Sequence, residues 1–205
     1  TRCRLVTGVQ TCALPILMNV VGTMGTSLTQ QHITKLKRLV NQITICYDGD
    51  NAGFEAAKRA AILLNDAKFQ VEIAILPDKL DPDDYIKQYG PESFVDKILG
   101  KPHAYIAFMM MHAKRGKNFQ FENDTLQYLQ EVLEQLVGKT SPIERDLYIR
   151  QLASETNISQ EAIYAQFRRI EADTIKQHKK QPVMPKELVA APIEVRKLTA
   201  TDRAE

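Results

Sequence analysis

Between residues 19 and 99, short β-branched runs alternate with stretches of helical periodicity. Few folds accommodate that order. Strands separated by helices pair in parallel through right-handed crossovers, so the segment predicts a parallel α/β sheet. "VV" at 20–21 reads as a buried strand entering a glycine-bearing loop. In "SLTQQHITKLKRLV", Ile33, Leu36 and Val40 share one helical face, with Ser27 or Thr29 as the cap. "ITICY" is the next strand. Phe54, Ala57, Ala61 and Leu64 then form an apolar stripe, with Gly53 placed to allow a sharp turn into that helix. "VEIAILP" is a further strand stopped by Pro77, and "PESFVDKIL" a short helix opened by Pro91.

After Gly100 the alternation stops. Leu126, Leu129, Leu133 and Leu136 recur at helical spacing. Ser141, Pro142 and Glu144 spell a capped helix start, and Ser159 caps the next helix. No strand is expected here, so residues 102–171 are assigned to a small all-α helical bundle. From residue 172 the prolines and bases of "KQHKKQPVMPKELVAAPIEVRK" read as a linker. Residues 1–16 are set apart from the fold. "VTGVQTCALPI" resembles the translation of a sequencing-library adapter. The domain is therefore expected over 17–101, truncated at its start.

The site signal is "YDGDNAG". An apolar strand ends in Asp48 and Asp50, and like charges this close resist joint ionisation. A bound cation offsets that repulsion. Ligands in open α/β sheets sit at the carboxyl ends of strands, where this pair falls. Gly49 between the aspartates would let a cation or phosphate approach the backbone. A second acidic group, Asp81, Asp83 and Asp84 in "DPDDY", follows the next strand and is expected to converge on the first. Oxygen-only ligands suit Mg²⁺ or Mn²⁺. Taken singly, each half has a plain structural reading, since D-x-D often makes a turn and Asp before proline caps one.

The strings "GTMGTSLTQQHI", "ICYDGDNAGFEAAKRA" and "LPDKLDPDDYI", in that order, resemble the second half of the topoisomerase-primase (TOPRIM) domain of bacterial DnaG-type DNA primases. The resemblance covers residues 19–171. It implies that Asp48, Asp50, Asp81 and Asp83 are the catalytic, metal-binding carboxylates, with no family role for Asp84. It implies primer synthesis on single-stranded DNA from ribonucleoside triphosphates, with the replicative helicase as partner. The E-G-x-x-D motif of the family is not found. The family's zinc-binding domain, basic polymerase half and helicase-binding domain are expected outside this chain, with zinc confined to the first of these. A monomer without primer-making activity of its own is expected.

Other readings of the residues stay open: a nuclease or topoisomerase fragment with the same acidic loops, or a helical docking module. "LASETNISQEAIYAQFRR" loosely follows a helix-turn-helix, though Leu152, Ile158 and Ile163 are explained as core. The net charge of +2 singles out no nucleic-acid face. Cys3, Cys12 and Cys46 lack metal-ligand spacing, which suits a reducing cytoplasm. No apolar run reaches the ~18 residues of a membrane span. The histidines show no ligand spacing, and Met109, Met110 and Met111 read as core filling.

Overall fold

The structure is a computed structural model that describes residues 2–6, 19–22, 28–77 and 79–180. Its five strands are β1 (Arg2–Val6), β2 (Val20–Val21), β3 (Gln42–Tyr47), β4 (Gln70–Ile75) and β5 (His103–Ala104). They form one sheet in the order β2-β1-β3-β4-β5. The first four are mutually parallel, and β5 runs antiparallel on β4. The parallel sheet expected from the alternation is present in β1 to β4, and β5 adds an antiparallel edge. The extra strand lies in the segment expected to be wholly helical. His103 and Ala104 directly follow Pro102 and carry no β-branched signal, so only pairing with Glu72 and Ile73 makes them a strand.

A second difference concerns the start. Residues 1–16 were set apart from the fold, yet Arg2–Val6 occupies an interior position, paired with β3 over five residues.

Crossovers and flanking helices are α1 (Gln30–Leu36), α2 (Asn51–Asp66), α3 (Pro82–Tyr89) and α4 (Pro91–Ser93), the last continuing into a π-helical turn at Phe94–Leu99. Thr29 caps α1, in a reciprocal pair with His32, and Ser27, the other expected cap, lies outside the described residues. Side chains of β3 alternate as a strand requires. Ile43, Ile45 and Tyr47 face α1, α2 and the later helices, while Cys46 joins Ala74, Leu76, Tyr85, Ile86, Phe94, Ile98 and Leu99 on the opposite face. Ile43, Ile45 and Ile73 are almost wholly buried, each adding roughly 2–3 kcal/mol of hydrophobic stabilisation.

The later helices are α5 (Tyr105–Lys114), α6 (Glu122–Leu136), α7 (Pro142–Thr156) and α8 (Gln160–Lys180). Ser141 and Glu144 form the expected capping box at α7. These helices share one continuous core with the sheet: Phe108, Met109, Tyr128, Leu133, Leu152 and Phe167 belong to the same cluster as Ile45 and Leu64. By their contacts, residues 1–171 form one unit. Met109 and Met110 are buried, as expected, but Met111 is exposed. Leu126 departs from its stripe and lies in solvent, with Thr125, Tyr128 and Val132 buried instead.

Tyr128 ties the helices together, donating to Glu155 at 2.6 Å, which Lys114 also pairs at 2.7 Å. Burial pushes the Tyr128 phenol up, and its bond to Glu155 adds to that. Burial opposes ionisation of Glu155, but bonds from Lys114, Tyr128 and Gln151 outweigh it and hold the carboxyl below its ordinary value.

The second unit comprises residues 172–205. The expected linker from residue 172 begins as helix instead, running to Lys180. No glycine or proline interrupts residues 172–180, and bases near a helix C-terminus are favoured by its dipole. The rest of the expected linker lies outside the described residues.

Candidate metal centre

The parallel pairing of β3 with β4 places Tyr47 beside Ile75, so both strands end at one edge of the sheet. The loops that follow are stitched together. Gly49 N–H donates to the Leu80 carbonyl at 2.9 Å, and Lys79 N–H to the Gly49 carbonyl at 3.4 Å. The backbones approach so closely that a Cβ on Gly49 would lie 2.0 Å from the Pro77 carbonyl oxygen. Gly49 is therefore needed for the close approach of the neighbouring loop. Gly53 does not make a turn. It sits in the first turn of α2, where a Cβ would lie 2.2 Å from the Asp48 carbonyl oxygen.

Each of the four expected aspartates has a definite place. Asp50 is the N-cap of α2, its Oδ1 accepting from Gly53 N–H at 2.6 Å. Asp81 is the N-cap of α3, its Oδ1 accepting from Asp84 N–H at 2.7 Å. Both therefore also do what the plain reading assigned to them. Asp83 pairs with Lys87 one turn on, at 2.5 Å. Asp48 differs from the others. Its Oδ1 is buried and, among the described residues, has no hydrogen-bond partner. Burial raises its pKa above the ordinary carboxylate range, and the nearby charges of Asp81 and then Asp50 raise it further. The two acidic loops lie side by side through the Gly49–Leu80 bond.

Asp81, Asp83 and Asp84 each offer an oxygen within 4.8 Å of the others. Asp84, which sequence reasoning left without a role, joins this group because an N-cap at Asp81 brings the third helical residue back over the cap. Asp48 and Asp50 stand outside that tighter group. Cys46, beneath Asp48, is no nucleophile: burial, then the Asp48 charge, push its thiol up to about 12.

Sequence reasoning missed the brace on the first turn of α2. Phe108 stacks on Phe54 with centroids 5.3 Å apart. His112 Nε2 meets Glu55 Oε1 at 2.6 Å, holding the Glu55 carboxyl below its ordinary value. Arg115 lies over the Phe54 ring at 4.1 Å and donates from Nη2 to Asn51 Oδ1. These pairs are 54 to 64 residues apart in sequence, so nothing local announces them.

Residues 7–86, which include β3, β4 and both acidic loops, match the Toprim-like family. Residues 106–161 match the DnaB-helicase binding domain of primase. A DNA primase of Geobacillus stearothermophilus is 40% identical over 177 residues, covering 83% of this chain and 29% of that protein. One of Enterococcus faecalis is 35% identical over 177 residues, covering 85% and 28%. A crystal structure of a DNA primase domain from Pseudomonas aeruginosa superposes with a TM-score of 0.61 at 25% identity, over 83% of this chain and 54% of that one. The chain belongs to the bacterial DNA primase family and spans less than a third of these two curated relatives. Among the described residues, no helix is long and apolar enough to cross a membrane.

Proposed function

We propose that the chain contributes the metal-binding part of a primase active site. In the whole protein a 3′-hydroxyl attacks the α-phosphate of a ribonucleoside triphosphate, pyrophosphate leaves, and an RNA primer grows on single-stranded DNA. The observation that carries this reading is Asp48. A buried carboxylate oxygen with no hydrogen-bond partner among the described residues, crowded by two further carboxylates, has the chemistry of a cation ligand. Asp48, Asp50, Asp81 and Asp83 would hold Mg²⁺ or Mn²⁺, for which an all-oxygen donor set is suited. Such ions, when bound, neutralise triphosphate charge and favour in-line displacement. The protein's own contribution is placement. Capping fixes Asp50 and Asp81 through Oδ1, and each carboxylate keeps further lone pairs for a cation. The Gly49–Leu80 bond holds the two loops in register.

In a full-length primase carrying this segment, Asp48→Ala should lower primer-synthesis turnover about a hundredfold, the scale of losing one electrostatic stabiliser of a transition state. Single-stranded DNA affinity should stay within a few-fold, since lysine and arginine contacts to phosphate supply it. Activity that falls only in step with the folded fraction would make Asp48 a turn residue.

A contact with the replicative helicase is the second part of the proposal. Sequence reasoning placed it outside the chain, but the family match at residues 106–161 favours a place within it. Ile143 and Leu147, one turn apart on α7 and 85% and 64% exposed, are apolar side chains available there.

A further inference from the structure

Arg115 has a place that packing alone does not require. It is the C-cap of α5, exposed, yet its guanidinium is fixed twice, over the Phe54 ring and on the Asn51 side chain. Asn51 follows Asp50 directly and is the first residue of α2. A fixed positive charge held on the residue next to Asp50 works against a cation gathered at that loop. It becomes favourable once an anion arrives with the metal. A guanidinium has five N–H donors in a planar fork, and one of its nitrogens is engaged by Asn51. Donors remain for the oxygens of a phosphate, the partner that fork geometry suits.

We infer that Arg115 is a substrate-binding residue for the polyphosphate of the nucleotide, acting together with the metal held by the D-G-D loop. The inference rests on the metal-site reading above and deepens it. Stacking on Phe54 orders the guanidinium before substrate arrives, which lowers the entropic cost of binding. Lys87, another cation beside the acidic loops, is instead paired with Asp83. The helical segment thereby reaches into the chemistry of the sheet edge: α5 would not only buttress α2 but supply one side of the substrate site.

The test uses the chain as it stands, with two probes: Mn²⁺ alone, and pyrophosphate in the presence of saturating Mn²⁺. Arg115→Ala is expected to weaken pyrophosphate binding about tenfold or more, the loss of a charge-assisted contact. Affinity for Mn²⁺ alone should be unchanged or slightly tighter, because a repelling charge has gone. Arg115→Lys, which keeps the charge but loses the fork, should recover only part of the pyrophosphate affinity. A merely structural brace gives another pattern: Mn²⁺ affinity and melting temperature fall together, and pyrophosphate follows them. That pattern overturns the inference. So does pyrophosphate binding that is equal in the wild type and Arg115→Ala while Mn²⁺ still binds, a result that leaves the metal site intact. Absence of Mn²⁺ binding in the wild type overturns the metal-site reading and this inference with it.

Discussion

Gly49→Ala is expected to unfold the acidic edge of the sheet. The new Cβ would lie 2.0 Å from the Pro77 carbonyl oxygen and 2.9 Å from its carbon. Both are backbone atoms, so no rotamer change relieves the clash and the two loops must separate. Separation breaks the Gly49 N–H to Leu80 and Lys79 N–H to Gly49 bonds and moves Asp48 away from Asp81. Two lost hydrogen bonds and a displaced loop cost about 3 kcal/mol or more. For a chain of this size that lowers the melting temperature by roughly 6–12 °C. Gly116→Ala is the control. Its φ of +71° strains an alanine, but nothing stands within 4 Å, and the cost should be only about 1–2 kcal/mol. Thermal unfolding of both variants decides the matter. A Gly49→Ala protein as stable as Gly116→Ala would mean that the loops are not held together as described.

Asp48→Asn should have opposite effects with and without a divalent ion. In the metal-free protein Asp48 is half-buried, with its Oδ1 fully so, and two other carboxylates act on it. Removing its charge relieves repulsion and a desolvation penalty, so the variant should melt above the wild type. Saturating Mg²⁺ should invert the order. An ion binding only the folded state, at a hundredfold excess over its Kd, stabilises by ~2.7 kcal/mol, or roughly 5–10 °C here. The variant has lost a ligand and should respond little. Melting curves of both proteins with Mg²⁺ and with chelator provide the measurement. Equal Mg²⁺ responses would remove Asp48 from the site.

Much of this was legible in the sequence because local physics dominates there. The alternation of "ITICY" and "VEIAI" with helical stripes defined the sheet core and its helices, and Ile33, Leu36, Val40 and Leu64 are buried as their spacing requires. The capping signal at Ser141 was equally local. What escaped detection depends on residues distant in sequence. The antiparallel β5 exists only through its pairing with β4. The common core of sheet and helices rests on contacts such as Phe54 with Phe108. The same holds at the site. "YDGD" and "DPDD" announced carboxylates, but not that Asp50 and Asp81 cap helices or that Gly49 touches Pro77. A cap needs its helix placed, and a close approach needs the other loop. Arg115, 64 residues from Asn51, offered no local signal.

Asp48 and its neighbours are proposed to form a divalent-cation site at the joined ends of β3 and β4. Titration with Mn²⁺, followed residue by residue through paramagnetic broadening of backbone amide resonances, tests it most directly. Amides of residues 47–51 and 81–84 should broaden first and at the lowest Mn²⁺ concentrations, and Asp48→Asn should abolish that preference. Broadening that spreads evenly over the exposed acids of the surface, with Asp48→Asn indistinguishable from the wild type, would contradict the site.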